Sequence, residues 1–108
     1  PYWYAMPSGT PTYLTVLESQ ETGTPGALIR NAIIFRVTEA SGIPLLDTNP
    51  TVTVMSGEGE VREVLAIDDI VPGAYAVHVV LGPRVGDNEF RIRAGELQQD
   101  VIIAGQRP

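Results

Sequence analysis

Residues 71–95 read VPGAYAVHVVLGPRVGDNEFRIRAG, and this stretch decides the fold class. Tyr75, Val77, Val79 and Leu81 occupy alternate positions, the spacing that puts side chains on one face of a strand. Phe90, Ile92 and Ala94 repeat the pattern after a turn over Gly82–Gly86. A Pro72-Gly73 corner precedes the pair and an Ala94-Gly95 corner follows it. The expectation is a β-hairpin with one apolar face. Such a ribbon leaves that face in water unless a second sheet covers it, so the rest of the chain is expected to complete a layered all-β domain.

The flanking sequence has the same character. Tyr13–Glu18 (YLTVLE) alternates with Leu14 and Val16 inward, whereas Ser19–Gly26 (SQETGTPG) has no apolar residue and reads as a loop or crossover. After a short apolar piece at Ala27–Ile29, Ile33–Glu39 (IIFRVTE) predicts a strand with Ile33, Phe35 and Val37 inward and Arg36 and Thr38 outward. Leu28, Ala32 and Phe35 also fit a helical period, but the β-branched and aromatic content from Ile33 onward favours a strand.

Ser41-Gly42-Ile43-Pro44 and Asp47-Thr48-Asn49-Pro50 mark turns, with Leu45 and Leu46 between them. Thr51–Ser56 (TVTVMS) alternates with Val52 and Val54 inward, and Gly57-Glu58-Gly59 reads as a hairpin-type connection. Glu60–Ile67 (EVREVLAI) alternates poorly, which predicts a bulge or an edge position. Leu97–Ile103 (LQQDVII) is the last strand. The pattern predicts an immunoglobulin-like β-sandwich of about seven antiparallel strands. It occupies residues 12–105, with 1–11 as a linker or N-terminal extension and 106–108 as a tail.

Composition narrows the partners. A chain of 108 residues is one domain by size, and without cysteine it has neither disulfides nor thiolate metal sites. The net charge of −6 and the lack of any Lys/Arg cluster argue against nucleic acid and against a polybasic membrane-surface segment. No apolar run approaches the ~18 residues of a spanning helix, so direct membrane insertion is not expected. The sequence starts at Pro1 without an initiator methionine, a charged n-region or an apolar h-region, and the expectation is a processed product or, preferred, a module excised from something longer.

Candidate chemistry is sparse. The one histidine, His78, falls on the outward face of its strand and has no nucleophile or second ligand beside it in sequence. Glu58, Glu60 and Glu63 read as solvated charges that discourage edge-to-edge pairing. Asp68 and Asp69, with Asp87, Asn88 and Glu89, form two oxygen-rich turns, the only candidate calcium ligands, although neither follows an EF-hand spacing. Asn88 reads foremost as a turn residue that satisfies nearby backbone groups. Arg91 and Arg93 share an outward face with Glu89 and are expected either to pair with acids on a neighbouring strand or to join a binding face. Tyr2, Trp3 and Tyr4 either pack against the domain end or form a contact platform for sugar or a partner protein. No catalytic residue and no cofactor is expected.

The turn motifs carry a resemblance. Val37-Thr38-Glu39-Ala40-Ser41-Gly42-Ile43-Pro44, Val52-Thr53-Val54 and Gly57-Glu58-Gly59 appear in that order. Asp68-Asp69-Ile70-Val71-Pro72-Gly73-Ala74-Tyr75, Leu81-Gly82 and Gly86-Asp87-Asn88-Glu89-Phe90-Arg91-Ile92-Arg93-Ala94-Gly95 follow. This succession resembles bacterial immunoglobulin-like domains of the invasin/intimin type, over roughly Thr12 to Gly105. The resemblance implies a non-catalytic structural or adhesive module, a spacer or protein-interaction domain of a bacterial surface or secreted protein. Its location would be extracellular, at the cell surface or periplasmic. Its partners would be neighbouring domains of the same polypeptide, or a surface protein or glycan. A second resemblance, confined to Ile70–Val77, is to carboxypeptidase-regulatory-like, transthyretin-like domains. The alternative reading is a ligand-binding accessory domain, either of this second type or a carbohydrate-binding one that uses aromatics among Tyr2, Trp3, Tyr4 and Tyr13.

Overall fold

The structure, a computed structural model, describes residues 10–46 and 48–107. Period-two alternation becomes strand wherever it occurs. The strands are β1 (Tyr13–Ser19), β2 (Thr22–Gly23), β3 (Leu28–Thr38), β4 (Thr51–Ser56), β5 (Glu60–Ala66), β6 (Ala74–Val80), β7 (Gly86–Ala94) and β8 (Leu97–Gly105). They form two four-stranded sheets, ordered β1-β3-β6-β5 and β2-β8-β7-β4. All pairs are antiparallel except β2 with β8. The inner faces meet in one core built on Phe35, Val37, Tyr75, Val77, Val79, Phe90, Ile92, Val101 and Ile103. Each large apolar side chain taken out of water here contributes roughly 1.5–3 kcal/mol. Phe35 and Tyr75 stack at the centre, ring centroids 5.4 Å apart. The expected inward residues of β1, β3, β4, β6 and β7 do face this core.

The pairing corrects three expectations. Residues 71–95 are not a hairpin: β6 pairs with β3 and β5, β7 pairs with β4 and β8, and the two lie in different sheets. Alternation sets which face of a strand points inward, but it does not choose the neighbour. The Leu81–Val85 connection, at ~3.3 Å per residue, is long enough to cross the ~10 Å between packed sheets. Gly57–Gly59 likewise joins β4 in one sheet to β5 in the other, so it is a crossing as well. Within 19–26, where a loop or crossover was expected, Thr22 and Gly23 pair in parallel with Ala104 and Gly105. This short β2 carries the chain from the edge of one sheet to the edge of the other. It has no apolar alternation to announce it.

The true hairpins are β5–β6, closed through residues 67–73, and β7–β8, closed by Gly95-Glu96. At Gly95 φ is +61°, as the first central residue of a type II′ turn requires. β5 is both an edge strand and bulged, between Val61 and Glu63. Helical spacing across 27–35 loses to the sheet, and Leu28–Thr38 is one strand with a bulge between Ile29 and Ile33. Leu45, between the two turns of 41–50, is fully buried and donates its N–H to Val37 O, adding a core residue that the turn signals on either side concealed.

Candidate interaction surface

Three polar side chains of the turn motifs, Glu39, Asp68 and Asn88, are bonded to backbone. Glu39 accepts hydrogen bonds from the Ser41 N–H at 2.7 Å, the Ser41 hydroxyl and the Ile43 N–H at 3.0 Å. The Ser41 hydroxyl first, then the Ile43 N–H, holds its carboxyl below the usual range. Asp68 Oδ1 accepts the Gly73 N–H at 3.1 Å across the β5–β6 turn. Asn88 is 1% exposed; its Oδ1 accepts the Gly82 N–H at 2.9 Å and its Nδ2 donates to Gly86 O and Ile103 O, each at 3.4 Å. The reading of Asn88 as a turn residue therefore describes what it does. It pins the β6–β7 crossing to β8.

The five candidate calcium ligands do not come together. Asp68 and Asp69 lie before the start of β6, whereas Asp87, Asn88 and Glu89 follow its far end. Among the described residues no three Asp, Glu or His side chains cluster as a metal site would require. Tyr2, Trp3 and Tyr4 lie outside the described residues. His78 is outward but half-buried rather than simply solvated. Its Nδ1 accepts the N–H of Asn31 at 2.9 Å, and Asn31 sits at φ +52° in the β3 bulge. The imidazole anchors a backbone conformation that few side chains adopt.

The two outer faces of the sandwich differ sharply. On the β2-β8-β7-β4 sheet, cross-strand rows read Thr53-Arg91-Asp100 and Thr51-Arg93-Gln98. Arg91 binds Asp100 through two parallel bonds, Nε to Oδ1 at 2.8 Å and Nη2 to Oδ2 at 3.1 Å. That bidentate contact holds the Asp100 carboxyl below its usual range, and raises the Arg91 guanidinium further above its own. The expected pairing of an outward arginine with an acid on a neighbouring strand is thus present.

The outer face of the β1-β3-β6-β5 sheet has an apolar middle row, whereas on the other face the exposed Ile102 stands beside Glu89 among charged rows. That middle row reads Glu18-Ile34-Ala76-Leu65, with Leu17 bulged beside Glu18. Ile67, Ile70 and Val71 rise from the β5–β6 turn to wall a groove of about 360 Å³, closed on the other side by Leu17, Glu18 and Asn31. That is at the small end of the range for pockets that take a ligand. Sequence reading missed this groove. The signals were the adjacent Val16-Leu17, only one of which an alternating strand can bury, and Ile70 in a turn, which is 73% exposed.

The class defined by this architecture is an immunoglobulin-like β-sandwich, and solved structures share it. Domains 4–9 of the surface layer protein SbsC match with a TM-score of 0.70 at 16% identity, covering 92% of this chain and 14% of that one. The ZirS C-terminal domain matches with a TM-score of 0.70 at 17% identity, covering 93% of this chain and 71% of that one. SbsC domains 4 and 5 match with a TM-score of 0.67 at 17% identity, covering 91% and 53%. The chain thus spans less than two thirds of either SbsC structure. No family model matches the sequence, and no curated protein does.

Proposed function

We propose that this chain is a non-catalytic module of a bacterial surface or secreted protein, of the invasin/intimin immunoglobulin-like type, serving as spacer and protein-interaction domain. The observation that carries the reading is the likeness of nearly the whole chain to a small part of SbsC, a surface layer protein whose described structure runs through several domains. The turn motifs add support, because Glu39, Asp68 and Asn88 each cap the turn in which the family-like pattern places them. The non-catalytic part is supported by His78, whose Nδ1 is committed to the β3 bulge. Protease treatment of intact cells that express the parent protein tests the location. Cleavage or antibody labelling before lysis is the expected result, and protection until lysis would overturn the reading.

A further inference from the structure

We propose that the outer face of the β1-β3-β6-β5 sheet docks a protein segment that presents apolar side chains between lysines or arginines. The inference rests on the surface-module reading and assigns that module its contact face. Leu17 is 48% exposed, Leu65 37% and Ile70 73%, and with Ile34 and Ala76 they line or border one groove. A solvated outer sheet face is ordinarily polar, as the opposite face of this molecule is apart from Ile102. A concentration of apolar side chains on such a face marks a contact site.

Charge names the occupant. Glu18 is part of the groove wall, exposed Asp69 immediately precedes the wall residue Ile70, and Glu63 lies two residues from Leu65, paired across from His78 on the same face. None of these three carboxylates has an ion-pair partner among the described residues, whereas Asp100 on the opposite face is matched by Arg91. The nearby cations are fewer: Arg36, whose Nε donates to Pro72 O 3.0 Å away, and exposed Arg30 beside the groove-lining Asn31. A second copy of this chain, at net charge −6, would bring the same acids against themselves, and an anionic lipid surface would repel them. An apolar segment flanked by basic residues satisfies both the groove and its rim.

The test uses the 108-residue chain and three synthetic peptides, Lys-Ile-Lys-Ile-Lys, Glu-Ile-Glu-Ile-Glu and Lys-Ser-Lys-Ser-Lys, each between Gly-Ser ends. Titration at about 0.15 M salt, where weak long-range attraction is screened, is followed by amide chemical shifts. The expected result is that only the first peptide shifts the amides of Leu17, Ile34, Ile70 and Ala76. Ile70→Ser should weaken it about tenfold. The double variant Glu18→Lys with Asp69→Lys should move the preference to the acidic peptide. All three positions are exposed, and an unchanged melting temperature checks that each variant is folded. Three results would overturn the proposal: equal response to all peptides, shifts confined to the Arg91–Asp100 face, or concentration-dependent dimerisation abolished by Ile70→Ser. Because binding is measured on the isolated chain, its failure leaves the cell-surface result standing, and an internal parent protein leaves the binding result standing.

Discussion

Leu81–Val85 and Gly95-Glu96 both join alternating strands through glycine, yet one carries the chain across the core and the other folds it back within a sheet. The hairpin needs only local geometry, a positive φ at Gly95. The crossing needs two distant pieces of backbone to touch. A Cβ on Gly82 would fall on the carbonyl oxygen of Gly57 and lie 3.0 Å from its carbonyl carbon, so the two crossings pack directly on each other. Asn88 then fills the space beside them, bonded to Gly82, Gly86 and Ile103. Two glycine-bearing connections therefore differ in what fixes them: backbone dihedrals in one, tertiary contact in the other.

Substituting alanine at the two glycines puts numbers on that difference. Gly82→Ala should destabilise by ~3 kcal/mol, the top of the usual range for overpacking, because the obstructing atoms are backbone and cannot rotate away. Gly95→Ala should cost only ~1–2 kcal/mol, the penalty of a left-handed conformation for a residue with a Cβ. Urea denaturation of both variants makes the comparison. Equal losses would mean that the crossing is no more tightly packed than the hairpin.

The next effect in size belongs to Asn88. Removing its amide in Asn88→Ala strands the buried Gly82 N–H, a loss of ~1–3 kcal/mol. Hydrogen exchange locates the effect. The Gly82 amide should exchange far faster in the variant while the β7–β8 hairpin amides keep their order of protection. Uniform loss of protection across both sheets would show that Asn88 acts on the whole core rather than on the crossing.

How much of this was legible follows from the same contrast. Inward faces were readable because Tyr75, Val77, Val79, Phe90 and Ile92 need only alternation to reveal their burial. The edge position and bulge of β5 were readable because Glu60, Arg62 and Glu63 interrupt the apolar pattern. The sheet partners were not, since Gly82 and Gly57 look like hairpin glycines until both crossings are in view. β2 was hidden because its parallel pairing uses backbone groups alone and leaves no mark on side-chain chemistry. Asn88 was legible as a turn residue through its motif, but its bond partner six residues back was not. The outer groove escaped for a different reason. It gathers Leu17, Ile34, Ile70 and Ala76 from three strands and a turn, and each one alone looks ordinary.

The smallest expected effect tests the charged outer face, where the hairpin carries its own cross-strand pair. The Arg91 bonds lower the folded-state value of Asp100 below that of the unfolded chain. The stabilisation is therefore complete above the unfolded carboxylate value of about 3.9 and is lost as pH falls through the still lower folded value. Glu39, also lowered, contributes an acid limb of the same sign, so the wild-type curve alone does not isolate the pair. The difference between wild type and Asp100→Asn does. Wild type should melt slightly higher at pH 7, and the gap should close below about pH 4, where the carboxylates protonate. The pair is solvent-accessible on both sides, which keeps the gap small and makes it shrink further in salt. A gap that stayed constant from pH 7 to pH 2 would mean that Asp100 acts through packing alone, and the contrast between a charge-paired face and an apolar one would lose its electrostatic half.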